Sequence, residues 1–282
     1  MHPGVALLLH PAARIAVTDF TVHPSTVIGL VGLGVLYHWR ARQRPMESLD
    51  ASPTTAQRAT FYSALALIFF SLNGWLHDLS DGYLFSAHMV QHLVLTLVAP
   101  PMLVLGTPGW MLRPALRWRV IGPLARWITT PARCFAIFNV VLVTWHLPPM
   151  YELAMRHHPI HIVQHLCFMT AAVLMWWPVL SPLPELPRLS YPGQMLYLFL
   201  LSIPMSLVAV CIGYADHLLY PYYASAARIW GITPMQDQMI GALIMWIPGG
   251  LFFFAIISVV FYKWQQLGGD DSRAAAQVAG PR

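Results

Sequence analysis

The sequence predicts an all-α integral membrane protein: a seven-transmembrane-helix bundle, N-terminus out and C-terminus in, with three degenerate helical-hairpin repeats. Three observations carry this. Of 282 residues, 57% are apolar and only 10% charged, and mean hydropathy is positive, whereas soluble domains carry about a quarter charged residues. Seven apolar runs approach the roughly 17–25 residues that cross about 30 Å of hydrocarbon, and their Leu, Ile, Met and Ala content suits helices better than the alternation of a barrel. Lys and Arg, finally, are placed asymmetrically between the loops.

Taken in chain order, the opening MHPGVALLLHPAARIAV lacks a basic n-region, and His10 and Pro11 break its apolar run, so it reads as an outer segment, 1–24, and not as a cleaved signal peptide. The expected transmembrane domain is 25–262, with spans near 25–39, 60–76, 84–105, 132–147, 160–180, 194–214 and 238–262. The first and fourth are the shortest. Residues 40–58 form a polar loop ending in a helix start near Ser52 to Thr55. WMLRPALRWRVIGPLARW (110–127) mixes Arg with Trp and Leu, as an interfacial segment would. SPLPELPRLSYP (181–192) is a proline-rich connector, and the tail 263–282 is expected to be disordered and cytoplasmic.

Orientation follows from Lys and Arg in short loops. Thirteen of the sixteen lie on one side: Arg40, Arg42, Arg44, Arg58, Arg113, Arg117, Arg119, Arg126, Arg133, Arg188, Lys263, Arg273 and Arg282. Only Arg14, Arg156 and Arg228 lie on the other. The excess of positive charge is thus accounted for by topology and anionic lipid headgroups, and nucleic acid is not expected as a partner. The three cysteines, Cys134, Cys167 and Cys211, fall inside spans with no CxxC pair, which argues against a disulfide framework.

One phrase occurs twice: SAHMVQHL (86–93) and PIHIVQHL (159–166). The repeat is larger than the phrase. The second span ends in WLHDLSDGY (75–83) and His88 and His92 open the third; the fourth ends in WHLPPMY (145–151) and His161 and His165 open the fifth. A degenerate third copy pairs YADHLLY (214–220) with DQMIGALIMW (237–246), where Asp237 and Gly241 stand in the two histidine positions. Each copy is a hairpin closed on the outer side.

Residues four apart stack on one helix face, about 6 Å along the axis. A His-x-x-x-His pair can chelate one ion or offer ligands at two depths. If the hairpins share an axis, His88, His161 and Asp237 form an upper layer, His92 and His165 a lower one, with Gly241 leaving a vacancy and His77, His146 and His217 ringing the entrance. A single membrane histidine is commonly an interhelical hydrogen-bond partner, and Asp237 could equally be a first-turn carboxylate. Two copies with identical spacing favour a metal or proton site over packing alone. Fourteen methionines invite copper, yet most are core; Trp75, Trp145 and Trp230 suit an interfacial belt.

The set W-x-H…AHMVQH, TWHLPPMY…HIVQH and DQMIGALIMWIPGG, from about residue 60 to 262, resembles the caa3-type cytochrome c oxidase assembly factor family, often called CtaG. The resemblance implies an assembly factor or metallochaperone, not an enzyme, multi-pass in the bacterial inner membrane, that helps deliver or insert copper into haem-copper oxidase at the periplasmic side. It implies oxidase subunits and a periplasmic copper chaperone as partners. His88, His92, His161 and His165 carry over as copper contacts, with Asp237, His77, His146 and His217 behind them. Neutral imidazole is the binding form, so occupancy is expected to fall as pH drops through the histidine range.

Alternatives stay open on the residues alone. RHHPIH (156–161) with two His-x-x-x-His phrases suits a membrane di-iron hydroxylase or desaturase, although its boxes would face outward here. Four histidines could also bind b-type haem with ligands drawn from different helices, and a metal-free scaffold remains a third class. No Walker motif, dinucleotide fingerprint or serine elbow is visible, which argues against nucleotide-driven pumping by these residues.

Overall fold

The structure, a computed structural model, describes residues 20–43 and 52–279, with side chains up to 267. Most of the expected outer segment (1–19), part of the first polar loop (44–51) and the last three tail residues lie outside the described residues. No strand occurs among the described residues.

Helix α1 spans Pro24–Arg42. Helix α2, Thr55–Leu72, starts where the sequence predicts, and opens on a capping box in which Thr54 and Gln57 satisfy each other's backbone N–H groups. At Asn73–Gly74 the chain bends by 43° into α3, Trp75–Gly82. Gly74 has φ 68°, and a β-carbon there would run into the Phe20 ring, so only glycine makes this break.

The next span, Phe85–Gly106, is composite. Helix α4, Phe85–Leu93, passes through a π-helical turn at Val94–Val98 into α5, Ala99–Gly106. Pro100 and Pro101 bring no N–H to the ladder. A neighbouring helix supplies one missing bond, as Trp176 Nε1 donates to the Thr96 carbonyl, four residues before Pro100, at 3.0 Å; Thr96 Oγ1 donates in turn to the His92 carbonyl at 2.6 Å.

Two short helices follow, α6 (Gly109–Leu116) and α7 (Ile121–Ile128), exposing Trp118, Leu124 and Trp127, the surface expected of an interfacial segment. An 80° bend leads into α8, Pro131–His146. Helix α9 (Pro148–Arg156) caps that end, and α10 runs His158–Leu180. Helix α11 is Tyr191–Gly213, a 3-10 turn occupies Pro221–Ala224, and α12 runs Pro234–Ala279.

Among the described residues, four helices are long and apolar enough to cross a membrane: Phe85–Gly106, His158–Leu180, Tyr191–Gly213 and Pro234–Leu267. Counting each bent pair, α2 with α3 and α7 with α8, as one span gives six. The expected first span falls short because α1 carries Gly29, Gly32, Gly34, His38 and two arginines in 19 residues. The expected fourth, α8, is 16 residues long and qualifies only with α7. Beyond residue 262 the backbone stays helical to Ala279, where a disordered tail was expected; the stretch RAAAQVA has high helix propensity.

The main core joins α4, α8, α9, α10, α11 and α12 around Trp176, Phe138, Phe168, Tyr151 and Phe253. Such contacts hold helices by packing, since lipid is as apolar as the side chains themselves. Helix α1 attaches through a smaller cluster of Tyr37 with Phe61, Leu65 and Met111. One end gathers arginine-bearing segments: Arg113 pairs with Glu185 at 2.6 Å, and Arg40 reaches the Met111 carbonyl at 3.2 Å. The histidine-bearing ends meet at the other.

Candidate metal centre

Helix α4 presents His88 and His92, one turn apart, with ring centroids 4.2 Å apart. Helix α10 presents His161 and His165, at 4.4 Å. The two pairs face each other. His88 lies 5.5 Å from His161 and 5.9 Å from His165, and His92 lies 5.6 Å from His165. All four are buried. The repeated phrase therefore does what its spacing predicts: two stacked pairs from two helices converge at one end of the bundle.

Of the three histidines expected at the entrance, two are inside. His146, at the end of α8, is buried 6.0 Å from His92. Its Nδ1–H donates to the Leu142 carbonyl at 2.7 Å, which fixes the tautomer and frees Nε2. His77 of α3 is buried as well; its Nδ1 lies 3.1 Å from Gln91 Nε2 and its Nε2 lies 3.4 Å from Asp81 Oδ2. His217 does not join them. It is exposed in the loop after α11, bonded to Asp216 at 2.7 Å.

Asp237 has a different task from the one its position in the repeat suggests. Buried at the start of α12, it accepts hydrogen bonds from the backbone N–H groups of Phe85 at 2.6 Å and Ser86 at 3.0 Å. It thus satisfies two orphan donors at the start of α4 and sets a negative charge at the positive end of that helix. Nor is Gly241 a vacancy: a β-carbon there would collide with the Phe85 ring. The third copy clamps the first in place.

The carboxylate beside the histidines is Asp81, which the sequence reading did not single out. Its Oδ2 lies 3.2 Å from His161 Nδ1. Asp81, His88 and His161 each offer a ligand atom within 4.8 Å of one another. A signal existed: His77 and Asp81 stand four apart within WLHDLSDGY, the spacing of the histidine pairs themselves.

A tyrosine cap covers this end. Tyr222 Oη donates to the Asp81 carbonyl at 2.7 Å, Tyr223 Oη donates to the Ser80 carbonyl at 2.7 Å while accepting from Tyr151 Oη at 2.9 Å, and Tyr220 Oη donates to the His146 carbonyl at 2.9 Å. The cap grips the backbone of the ligand-bearing helices and leaves the imidazoles free. Among the methionines near this end, Met89 and Met155 are core and Met235 and Met239 are exposed. Trp145 is buried, unlike the exposed Trp75 and Trp230 of the expected belt.

What distinguishes the cluster is unmet bonding capacity. Both ring nitrogens of His88, His92 and His165, and Nε2 of His146 and His161, are buried without a hydrogen-bond partner. Buried polar atoms are normally paired, and each unpaired one costs about 1–3 kcal/mol. Gathered at one place, these imidazole nitrogens are a donor set that could hold a cation.

Residues 32–266 match the profile of the cytochrome c oxidase caa3 assembly factor family, Caa3_CtaG. The chain belongs to that family. Every histidine of the cluster, Asp81 and Asp237 lie within the matched stretch. Among curated proteins, it is 23% identical over 216 residues to an uncharacterized protein of Mycobacterium bovis and to one of Mycobacterium tuberculosis, covering 69% of this chain and 31% of each relative. A Mycobacterium leprae protein, also uncharacterized, is 22% identical over 229 residues, 76% of this chain and 34% of its own length. The chain spans about a third of the length of the curated relatives it matches. No solved structure matches it. Caa3_CtaG is thus a family of oxidase assembly factors, which suggests a role other than enzymatic, and this member is a membrane protein.

Proposed function

We propose that the protein takes up copper as cargo in the imidazole cluster and passes it to haem-copper oxidase during assembly. The observation that carries this reading is the convergence of His88, His92, His146, His161 and His165 with ring nitrogens that no protein group satisfies. Imidazole nitrogen suits copper. Asp81 orients His161, as a carboxylate behind a metal-bound histidine does. Asp237, the tyrosine cap and Gln91, whose Nε2 donates to the Ser71 carbonyl at 2.6 Å, hold the ligand-bearing helices in register. Release to an oxidase subunit then needs only ligand exchange, one imidazole bond breaking as an acceptor bond forms.

The arginine asymmetry supports placing the histidine end outside the bacterial inner membrane, with the N-terminus out, the C-terminus in and seven crossings if α1 and both bent pairs span. A periplasmic copper chaperone would be the donor.

Metal analysis of purified protein tests the proposal. Wild type is expected to carry copper in a fixed ratio, and His88→Ala with His161→Ala to carry almost none. Equal copper in both ends the reading, and a Soret band in the wild type would replace it with haem binding.

A further inference from the structure

A cavity of about 760 Å³ opens between α1, α2, α5 and α10. Most of its wall is aliphatic, but one end is lined by five imidazoles: His23, His77, His158, His161 and His165. His161 and His165 belong to the buried cluster, and their unpartnered nitrogens are His161 Nε2 and both of His165. His23 and His158 do not belong to it. His23 precedes α1, half-buried, and His158 opens α10, exposed. Their ring centroids are 5.5 Å apart, and His23 lies 4.4 Å from His77.

This outer pair is held where it is. The His23 N–H donates to Asn73 Oδ1 at 2.6 Å, the Gly74 N–H donates to the Thr21 carbonyl at 2.8 Å, and Thr21 Oγ1 bonds Asp78. Three bonds thus fasten residues 21–23 to the break between α2 and α3, leaving the His23 imidazole directed to the cavity. His77 between them is engaged by Gln91 and Asp81 and forms the wall. His23 also lies ahead of the residues that match the family, 32–266.

We infer that His23 and His158 form a second, outer metal site, a low-coordinate docking pair that captures Cu(I) at the surface and hands it across the shared cavity to His161 and His165. The inference rests on the copper reading above and adds the route of uptake. Two imidazoles hold an ion less firmly than the larger donor set beneath, so the gradient of ligand number runs inward. Each transfer forms one Cu–N bond as another breaks. The oxidation state does not change, and a neutral imidazole lends its lone pair without releasing a proton.

The test follows transfer of Cu(I) from its bicinchoninate complex to the full-length protein in detergent, by loss of the complex's absorbance. His23→Ala with His158→Ala is expected to slow uptake by about tenfold or more while final copper stays at the wild-type level, a loss of the size seen when groups supporting a metal site are removed. His157→Ala, exposed beside His158 and absent from the cavity wall, should load at the wild-type rate. His23→Met with His158→Met restores two soft ligands and should recover to within about threefold of wild type. Neither alanine removes a hydrogen bond from the α1 or α10 cap, and unchanged thermal melting checks the fold. Equal rates for wild type and the double alanine variant overturn the outer site alone. Loss of final copper to the level of His88→Ala with His161→Ala overturns it too, since the pair would then belong to the resident site. A wild type that takes up no Cu(I) overturns the proposed function and this route with it.

Discussion

The two copies of the VQH phrase share their letters and differ in their surroundings. In the first, Gln91 donates to the Ser71 carbonyl at 2.6 Å, and its Oε1 lies 3.2 Å from Ser80 Oγ, so the glutamine ties α4 to α2 and α3. In the second, Gln164 is equally buried, and neither its oxygen nor its nitrogen has a partner. The histidines reverse the pattern. His88 and His92 have four free ring nitrogens, while His161 gives Nδ1 to Asp81. The helices differ too: α4 runs into a π-turn after five residues past His88, whereas α10 continues unbroken to Leu180. Identical spacing fixes where rings point along a helix; neighbours decide what each ring is free to do.

The largest expected effect separates the copies through Asp81. Asp81→Asn should weaken copper binding by about 10–100-fold, the range for a carboxylate lost from behind a metal-bound histidine. In a His161→Ala background the same substitution should have little further effect, because its partner is gone. Copper titration of the four proteins of this cycle reads both numbers, and additive losses would mean that Asp81 acts without His161.

Next comes the third copy, where a carboxylate replaces a histidine and serves as a clamp. Asp237→Asn removes one of two charge-assisted acceptors from the buried N–H groups of Phe85 and Ser86. The expected cost is about 1–2 kcal/mol in thermal or denaturant unfolding, with copper content per folded molecule unchanged. Copper lost in a fully folded variant would restore Asp237 to the ligand set.

The glutamines sharpen the contrast further. Gln91→Leu strands the Ser71 carbonyl and should destabilise by about 1–3 kcal/mol, whereas Gln164→Leu has no bond to lose and should be neutral or stabilising. Equal losses on melting would mean that the two copies are packed alike after all.

The smallest effect lies at the opposite end of the molecule. The Arg113 guanidinium, which donates to Glu185 Oε1, holds that exposed carboxyl below the usual carboxylate range. A carboxyl lowered on folding stabilises above its unfolded value and ceases to as pH falls through its folded value. Glu185→Gln should therefore differ slightly from wild type in melting temperature at neutral pH and converge with it in acid. Salt should shrink the difference.

Much of the site was legible because it is periodic. Residues 88, 92, 161 and 165 carry their geometry in their spacing, and the helix start near Ser52 to Thr55 is likewise a local signal. What escaped was settled at long range. Asp237 serves a helix start 152 residues away, and no pattern within one segment announces such a bond. Similarity between copies misled in the same place, since Gly241 answers the bulk of Phe85 and not a missing ligand. Two of the apolar runs are bent by their backbone, which the pattern of apolar residues does not reveal: Gly74 bends one, and Pro131 opens another after an 80° turn. Asp81 was a different omission, a visible i,i+4 partner of His77 that lay outside the repeated phrase.

The π-turn at Val94–Val98 sets the phase of the span that contains it. There the Ala99 N–H reaches back five residues, to the Val94 carbonyl, so the chain holds one residue more than continuous α-helix would take. Each residue turns a helix by about 100°. Deleting one from this stretch would rewind the ladder and swing the two halves out of step: if His88 and His92 kept facing α10, Ala99 would rotate away from Ile68 and Leu72, against which it packs. The surplus residue uncouples the azimuth of the two ends, letting one answer to the histidines and the other to α2.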